Sequence, residues 1–191
     1  PVVPDATGFS VAIIGAGPAG LSYAEQVARG NSVTVFERDG AAGGALRHAG
    51  LAPQFQGVEA SQGALDAYIA ELERACKARG VEFRYNTVVP DLSAIAADFD
   101  RIVIATGAKY RLGLGRIIVA ALRNGWGKSG WMRALFESPR VKHWFYYRAR
   151  MSARPRLGKL KPDNVVVIGD AASPGKTRDA IESAFRAALT P

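Results

Sequence analysis

The stretch Ser10-Val11-Ala12-Ile13-Ile14-Gly15-Ala16-Gly17-Pro18-Ala19-Gly20-Leu21 decides the fold. A short apolar run ends in glycines, and from Pro18 to Arg29 the apolar residues take helical spacing, with Leu21, Ala24 and Val27 on one face. That is strand, tight turn, helix. Ser32 to Phe36 alternates and carries β-branched Val33 and Val35, so it predicts a second strand that closes a βαβ unit. Within the turn, Gly15 permits the reversal, Gly17 lets a backbone approach a pyrophosphate, and Gly20 allows close helix-to-sheet packing. The helix that starts at Pro18 offers unpaired N–H groups, from Ala19 onward, and a partial positive charge to phosphate. Glu37 ends the second strand 22 residues after Gly15, where a carboxylate accepts from ribose 2′- and 3′-hydroxyls and repels a 2′-phosphate. The set predicts a dinucleotide site. The glycines alone do not separate NAD from FAD.

Outward from this unit, residues 38–60 are rich in Gly, Ala and Pro and read as a loop. Ser61 to Arg79 predicts a helix with Leu65, Tyr68, Ile69, Leu72 and Cys76 on one stripe, stopped by Gly80. Val81 to Tyr85 and Thr87 to Val89 suit short strands, and Arg101 to Ala105 suits a strand buried on both faces, ending in Thr106-Gly107. Val165 to Ile168 repeats that pattern and ends in Gly169-Asp170. Asp179 to Leu189 predicts a closing helix with Ile181, Ala184, Phe185 and Ala188 inward. The fold class is therefore α/β and Rossmann-like, a central parallel sheet flanked by helices.

The 191 residues and 48% apolar content fit one domain with a small appendage. Cys76 is the single cysteine, which excludes an intramolecular disulfide and a CxxC redox centre, so electron transfer must rest on a bound cofactor. No apolar run reaches bilayer length and no leader pattern opens the chain, so a cytoplasmic protein is expected, or one lying peripherally on a membrane. Pro1 at the start points to a processed or excised chain, or to a portion of one. No metal-ligand spacing occurs, and neither His48 nor His143 has a partner arrangement for acid-base work. The net charge of +8 is uneven: residues 109–161 hold 14 Lys plus Arg against Glu137 alone, leaving the remainder at −5. A mildly acidic domain thus carries a strongly basic segment.

The anchors beyond the glycines carry a resemblance. Glu37, five residues and Gly43-Gly44-Ala45-Leu46-Arg47, followed by Ala52-Pro53, resemble the FAD/NAD(P)-linked disulfide-reductase-like superfamily, and within it the NADH:flavin oxidoreductase, 2,4-dienoyl-CoA reductase and trimethylamine dehydrogenase group. The helix from Ser61, the continuation Gly80 to Asn86, the strand Ile102 to Ala105 running into Thr106-Gly107-Ala108, and Val167-Ile168-Gly169-Asp170 extend it over residues 8–108 and 162–189. The resemblance implies FAD. It implies that Gly15, Gly17 and Gly20 hold the pyrophosphate, Glu37 the adenosine ribose, and Asp170 a ribitol hydroxyl. It lays Arg38 along the adenine, offers the Val89 backbone to the adenine edge, and brings Arg47 to the phosphates or the flavin rim. Ala105-Thr106-Gly107 brings a backbone poor in side chains near the cofactor. Backbone N–H groups around Arg178, Ala180 and Ile181 would face the flavin N1 and C2 carbonyl and favour negative charge there. For Arg38 and Arg47 a solvated surface role is the alternative, and for Asp170 an ordinary turn aspartate.

The chain departs from that group in one place. A second Rossmann-type domain is expected between the Ala-Thr-Gly strand and the Gly-Asp strand, and here about 54 residues stand in its place without a GxGxxG turn; Gly113-Leu114-Gly115 is a poor match. The predicted organisation is an FAD-binding domain formed by residues 1–108 and 162–191, with a basic, aromatic-rich helical insert at 109–161. The insert holds Trp126, Trp131, Trp144 and the run Trp144-Phe145-Tyr146-Tyr147. Ile117, Ile118, Ala121 and Leu122 form one apolar face beside Arg116 and Arg123, and Trp131, Met132, Leu135 and Phe136 form another beside Arg133. A small cap over the flavin or sheet, a docking surface for a protein redox partner, and an anionic membrane surface all suit it; nucleic acid would need a reading element that is absent. The expected function is a flavin oxidoreductase domain or subunit working with a redox partner. The rivals are a non-catalytic FAD- or ADP-holding assembly module and a peripheral membrane flavoprotein.

Overall fold

Alternation along three short strands organises the molecule. A computed structural model describes residues 8–51, 61–110, 114–144, 148–155 and 164–189. Strands β1 (Ser10–Ile14), β2 (Ser32–Phe36), β3 (Glu82–Arg84), β4 (Arg101–Ile104) and β7 (Val165–Val167) form one sheet in the order β3-β2-β1-β4-β7. Every pairing in it is parallel, with Ile13 opposite Val35 on one side and Val103 on the other. Because side chains in a strand point to alternate faces, Val11, Ile13, Val33, Val35 and Val103 enter one core, and Ala12, Ile14, Phe36, Ile102 and Ile104 the other. Both faces are dry, which is why these strands read as continuous apolar runs.

The first core is roofed by helices α1 (Pro18–Val27), α3 (Gln62–Ala78) and α7 (Thr177–Ala188), with α1 packed against both of the others. The second is closed by the segment around Leu92, Ile95 and Phe99, including a 3-10 turn at Leu92–Ala94. Ser61 caps α3 by accepting from the Ala64 N–H, and Gly80 ends it with φ +81°, as the sequence predicts.

Five expectations need correction. Thr87 to Val89 is not a strand, because the chain there follows β3 and turns: Thr87 donates its N–H to the Glu37 carbonyl at 2.8 Å and its hydroxyl to the Tyr85 carbonyl. The loop read over 38–60 contains a one-turn helix α2 (Leu46–Ala49), whose Leu46 is buried; residues 52–60, and with them Ala52-Pro53, lie outside the described residues. On α3, Tyr68 is exposed and the buried stripe narrows to Ile69 and Cys76, with Leu65 and Leu72 at its margin. On α7 it is Ala180, Ala184 and Ala188 that are buried, while Phe185 is exposed, since close approach to α1 admits only small side chains. Finally, the segment after β4 is not purely helical. Helices α4 (Leu114–Arg123), α5 (Gly130–Glu137) and α6 (Pro139–His143) are bracketed by an antiparallel ribbon of β5 (Ala108–Tyr110) and β6 (Arg150–Ser152). Gly113 and Phe145 to Tyr147 lie outside the described residues.

Candidate functional site

The order β3-β2-β1-β4-β7 has its switch point between β1 and β4, because the chain leaves β1 toward β2 and later returns to β1's other side. In an open parallel sheet the crevice at the carboxyl ends of the strands beside such a point is the place for a ligand. The glycine turn follows β1, Thr106-Gly107 follows β4, and Gly169-Asp170 follows β7, so all three predicted turns share that edge.

The turn itself is held by its lack of side chains. Gly15 has φ +108°, and a Cβ there would lie 2.6 Å from the Ala105 carbonyl oxygen; a Cβ on Gly20 would lie 2.0 Å from the Gly15 carbonyl oxygen. Both contacts are with backbone, so neither can yield. Gly17, the residue preceding α1, makes no side-chain cap, and a Cβ there would meet nothing within 4 Å. The N–H donors at the start of α1 are those of Ala19 and Gly20, since Pro18 has none, and no side chain caps them from Gly17. A phosphate fits such an end. The Gly43-Gly44 loop is laid on this turn: the Gly43 N–H donates to the Ala16 carbonyl at 2.8 Å, and a Cβ on Gly44 would come within 3.2 Å of the Gly17 Cα. Ala45 and Leu46 then lead into α2, where Arg47 lies against Gly43.

Glu37 is 6% exposed and is already engaged. One carboxylate oxygen accepts the Ala16 N–H at 2.7 Å and the other the Asp39 N–H at 2.9 Å. A carboxylate has about four acceptor positions, so two backbone donors leave room for hydroxyls while fixing the group against the glycine turn. Spacing alone could not reveal this bracing role. Arg38 is exposed, with Asp39 at 3.9 Å from its guanidinium. Val89 is buried in the second core. His48 is held below the usual imidazole range by burial and by the guanidinium groups of Arg123 and Arg47, which disfavour its cation.

The second half of the edge is shared with the basic segment. The Thr106 hydroxyl donates to the Ala153 carbonyl, and the Ala153 N–H donates to the Gly107 carbonyl at 3.0 Å. Asp170 is ion-paired with Arg150 at 3.0 Å and accepts the Gly175 N–H at 2.9 Å. Burial raises its carboxyl above the usual range, against the Gly175 N–H and Arg150, which pull it down. At the start of α7 the Ala180 N–H is spent on the Lys176 carbonyl at 3.1 Å, which corrects the expectation for Ala180: it is a packing residue against Gly169 rather than an open donor. Ile181 lies one position deeper in the helix, and Arg178 is in the first turn with an exposed side chain. The three sites drawn from sequence converge, but Arg150 and Ala153 were missed. Only a strand pairing across some 40 intervening residues brings them there.

The helical part of the segment touches the domain at Gly127, where a Cβ would lie 2.1 Å from the Leu51 carbonyl oxygen. Phe136 is buried, whereas Ile117, Trp126, Trp131, Leu135 and Trp144 are exposed. A groove of about 460 Å³ lies beside α6, lined by Pro139, Arg140, His143, Trp144 and Arg148. Among the described residues, no helix is long and apolar enough to cross a membrane and no cluster of His, Cys, Asp or Glu would hold a metal.

Comparison with known proteins agrees with this geometry. The family described as "Pyridine nucleotide-disulphide oxidoreductase" matches residues 9–173. The small chain of glutamate synthase [NADPH] from Mycobacterium tuberculosis is 42% identical over 106 residues, 53% of this chain and 20% of that protein. The beta subunit of the NADP(+)-dependent formate dehydrogenase from Moorella thermoacetica is 41% identical over 114 residues, 56% of this chain and 15% of that one. The chain thus spans about a fifth or less of these relatives. Among solved structures, a 2-naphthoyl-CoA reductase aligns over 100% of this chain and 41% of its own with a TM-score of 0.65 at 18% identity. Histamine dehydrogenase from Rhizobium sp. 4-9 aligns over 98% and 46% with a TM-score of 0.60 at 16% identity. At that identity the likeness concerns the fold.

Proposed function

Since the chain belongs to the pyridine nucleotide-disulphide oxidoreductase family, an FAD-dependent oxidoreductase family, we propose that it is the flavin-bearing domain or subunit of a redox system that exchanges electrons with a separate protein component. Residues 1–108 and 162–191 make the discontinuous FAD domain, and residues 109–161 are an insert standing where relatives of this architecture carry a nicotinamide domain. One observation carries the reading: the glycine turn, Thr106-Gly107 and Gly169-Asp170 lie on one sheet edge at the switch point, and the insert's ribbon closes over two of them.

In this reading the α1 start and Gly15, Gly17 and Gly20 take the pyrophosphate, with Gly43-Gly44 as the opposite wall and Arg47 as a neighbouring cation. Glu37 keeps two acceptor positions for the adenosine ribose, and Arg38 and Val89 flank the adenine. Asp170 accepts from the ribitol, and α7, whose first turn is capped by Asp179 accepting the Lys176 N–H, turns its positive end toward the flavin. FAD, when bound, supplies the two-electron acceptor that this chain lacks in its own side chains. The α7 dipole favours negative charge at its N-terminus, and the dry cores on either side of the sheet keep the local dielectric low.

The partner is an acidic protein surface. Exposed Trp126, Trp131 and Leu135 stand beside Arg123, Lys128 and Arg133, an aromatic and cationic mixture that suits an interface. The names "small chain" and "subunit beta" of the two relatives above belong to multi-component enzymes, which supports a divided system. The same tryptophans favour a second reading, an anionic membrane surface. Failure of the protein to co-sediment with anionic vesicles at low salt would sink the membrane reading. The central test is anaerobic mixing of the flavin-loaded protein with NADH and with NADPH. Slow bleaching by either, with fast bleaching by dithionite, is expected. Fast bleaching by a nicotinamide removes the need for a partner, and a protein that takes up no flavin removes the reading altogether.

A further inference from the structure

The limb of the insert that returns to the sheet makes more bonds to the cofactor edge than a connecting strand requires. Ala153 is bonded to both Thr106 and Gly107. Arg154 donates from Nε to the Ala171 carbonyl at 2.7 Å and from Nη2 to the Ala172 carbonyl at 3.2 Å. Arg150 is forked: Nη1 donates to Asp170 Oδ2 at 3.0 Å and Nη2 to the Gly175 carbonyl at 2.6 Å, while the Gly175 N–H donates to Asp170 Oδ1 at 2.9 Å. The ring of three groups is closed. The Arg150 and Asp170 side chains are only 13% and 18% exposed, so water and salt screen this pair far less than a surface pair.

We propose that Arg150 is a positioning residue of the cofactor site, holding the Asp170 carboxylate ionised and fixed for the dinucleotide and tying that site to the position of the insert. The inference rests on the reading of Asp170 as a cofactor residue. A carboxylate in this half-buried place loses hydration, and a carboxyl free to swing or to take a proton is a poorer acceptor for a hydroxyl. A guanidinium answers both problems, because it is a permanent charge and a planar fork that meets Asp170 and Gly175 together. Lysine can supply the charge but not the fork. The cation would also stabilise the negative charge that builds up on a reduced flavin bound nearby, so its loss makes reduction harder.

The experiment is an FAD titration, followed by flavin fluorescence, on the full chain and on Arg150→Met, Arg150→Lys, Asp170→Asn and the Met/Asn double variant. The midpoint potential of the bound flavin is measured for each. R150M is expected to weaken FAD binding by at least about tenfold and to shift the potential to more negative values. R150K recovers part of both, and the double variant binds no more weakly than D170N, since the two side chains act through one another. Wild-type affinity and potential in R150M overturn the proposal, as do strictly additive effects in the double variant. If R150M does not fold, R150K decides alone: affinity and potential equal to wild type overturn the proposal, and intermediate values support it. A D170N protein that binds FAD as wild type removes the underlying reading of Asp170 instead, so the two failures are distinct.

Discussion

The glycine turn and the basic segment handle large side chains in opposite ways. Around the turn, Leu21 and Tyr23 are fully buried, and β1, β2 and β4 send buried residues into both cores. In the segment between β5 and β6, Trp131 is 61% exposed and Ile117 66%, with Phe136 among the few that are covered. The acidic remainder and the basic segment differ by charge as well. The first region is shaped by what it must enclose, the second by what it must meet.

That contrast can be broken by substitution. Gly20→Ala has the largest expected effect: its Cβ would press into the Gly15 carbonyl, at a cost reaching about 5 kcal/mol, the low end of a whole domain's stability. No folded, flavin-binding protein should be recovered, as circular dichroism and FAD titration would report. Leu21→Ala, in the packed face of α1, should lose about 2–5 kcal/mol in urea unfolding. Glu37→Gln leaves one of two backbone N–H groups without its acceptor, and a loss of about 1–3 kcal/mol is expected, with weaker FAD binding in the same preparation. Cys76 tests the closure of the first core. Burial, reinforced by Glu73, pushes its thiol from the ordinary 9.0 up to about 11. The thiol should therefore resist iodoacetamide at pH 8 until urea unfolds the chain. A thiol pKa raised on folding stabilises the fold below the ordinary value, and that contribution should fall away as pH climbs from 9.0 through about 11. Trp131→Ala removes the biggest side chain of the series with the smallest effect, within about 0.5 kcal/mol. A large loss of stability there would mean that the segment is core and not contact surface.

The legible part of the fold was the part with a strict period. β1 and β2 were bounded to the residue because the apolar run of β1 stops at Gly15 and that of β2 lies between Gly30-Asn31 and Glu37, and α3 to within one residue at each end because Ser61 and Gly80 mark it. The turns at Gly15, Thr106 and Gly169 were legible because close approach excludes side chains, which leaves a compositional trace. What could not be read were pairings between distant residues that are individually ordinary. The bond from Ala16 to Glu37 uses a backbone donor common to every residue. Arg150 is one of 14 basic residues in its segment, and nothing in its neighbours marks it as the one that reaches Asp170. The exposed Phe185 was misjudged for a related reason, since helical periodicity gives a face but not how near the next helix stands.

The β5–β6 ribbon has a consequence for how the sheet assembles. Strand β4 must find β7 across more than 60 residues, Ile102 opposite Val165, and closing so long a loop is a slow, entropically opposed event. Pairing Ala108 with Ser152 holds the two ends of that loop together, and if it forms early it shortens what is left to close. The search left to β7 then spans about a dozen residues, whatever lies beyond the ribbon. Lengthening the excursion between β5 and β6 should therefore slow completion of the sheet only weakly, as the logarithm of the loop length.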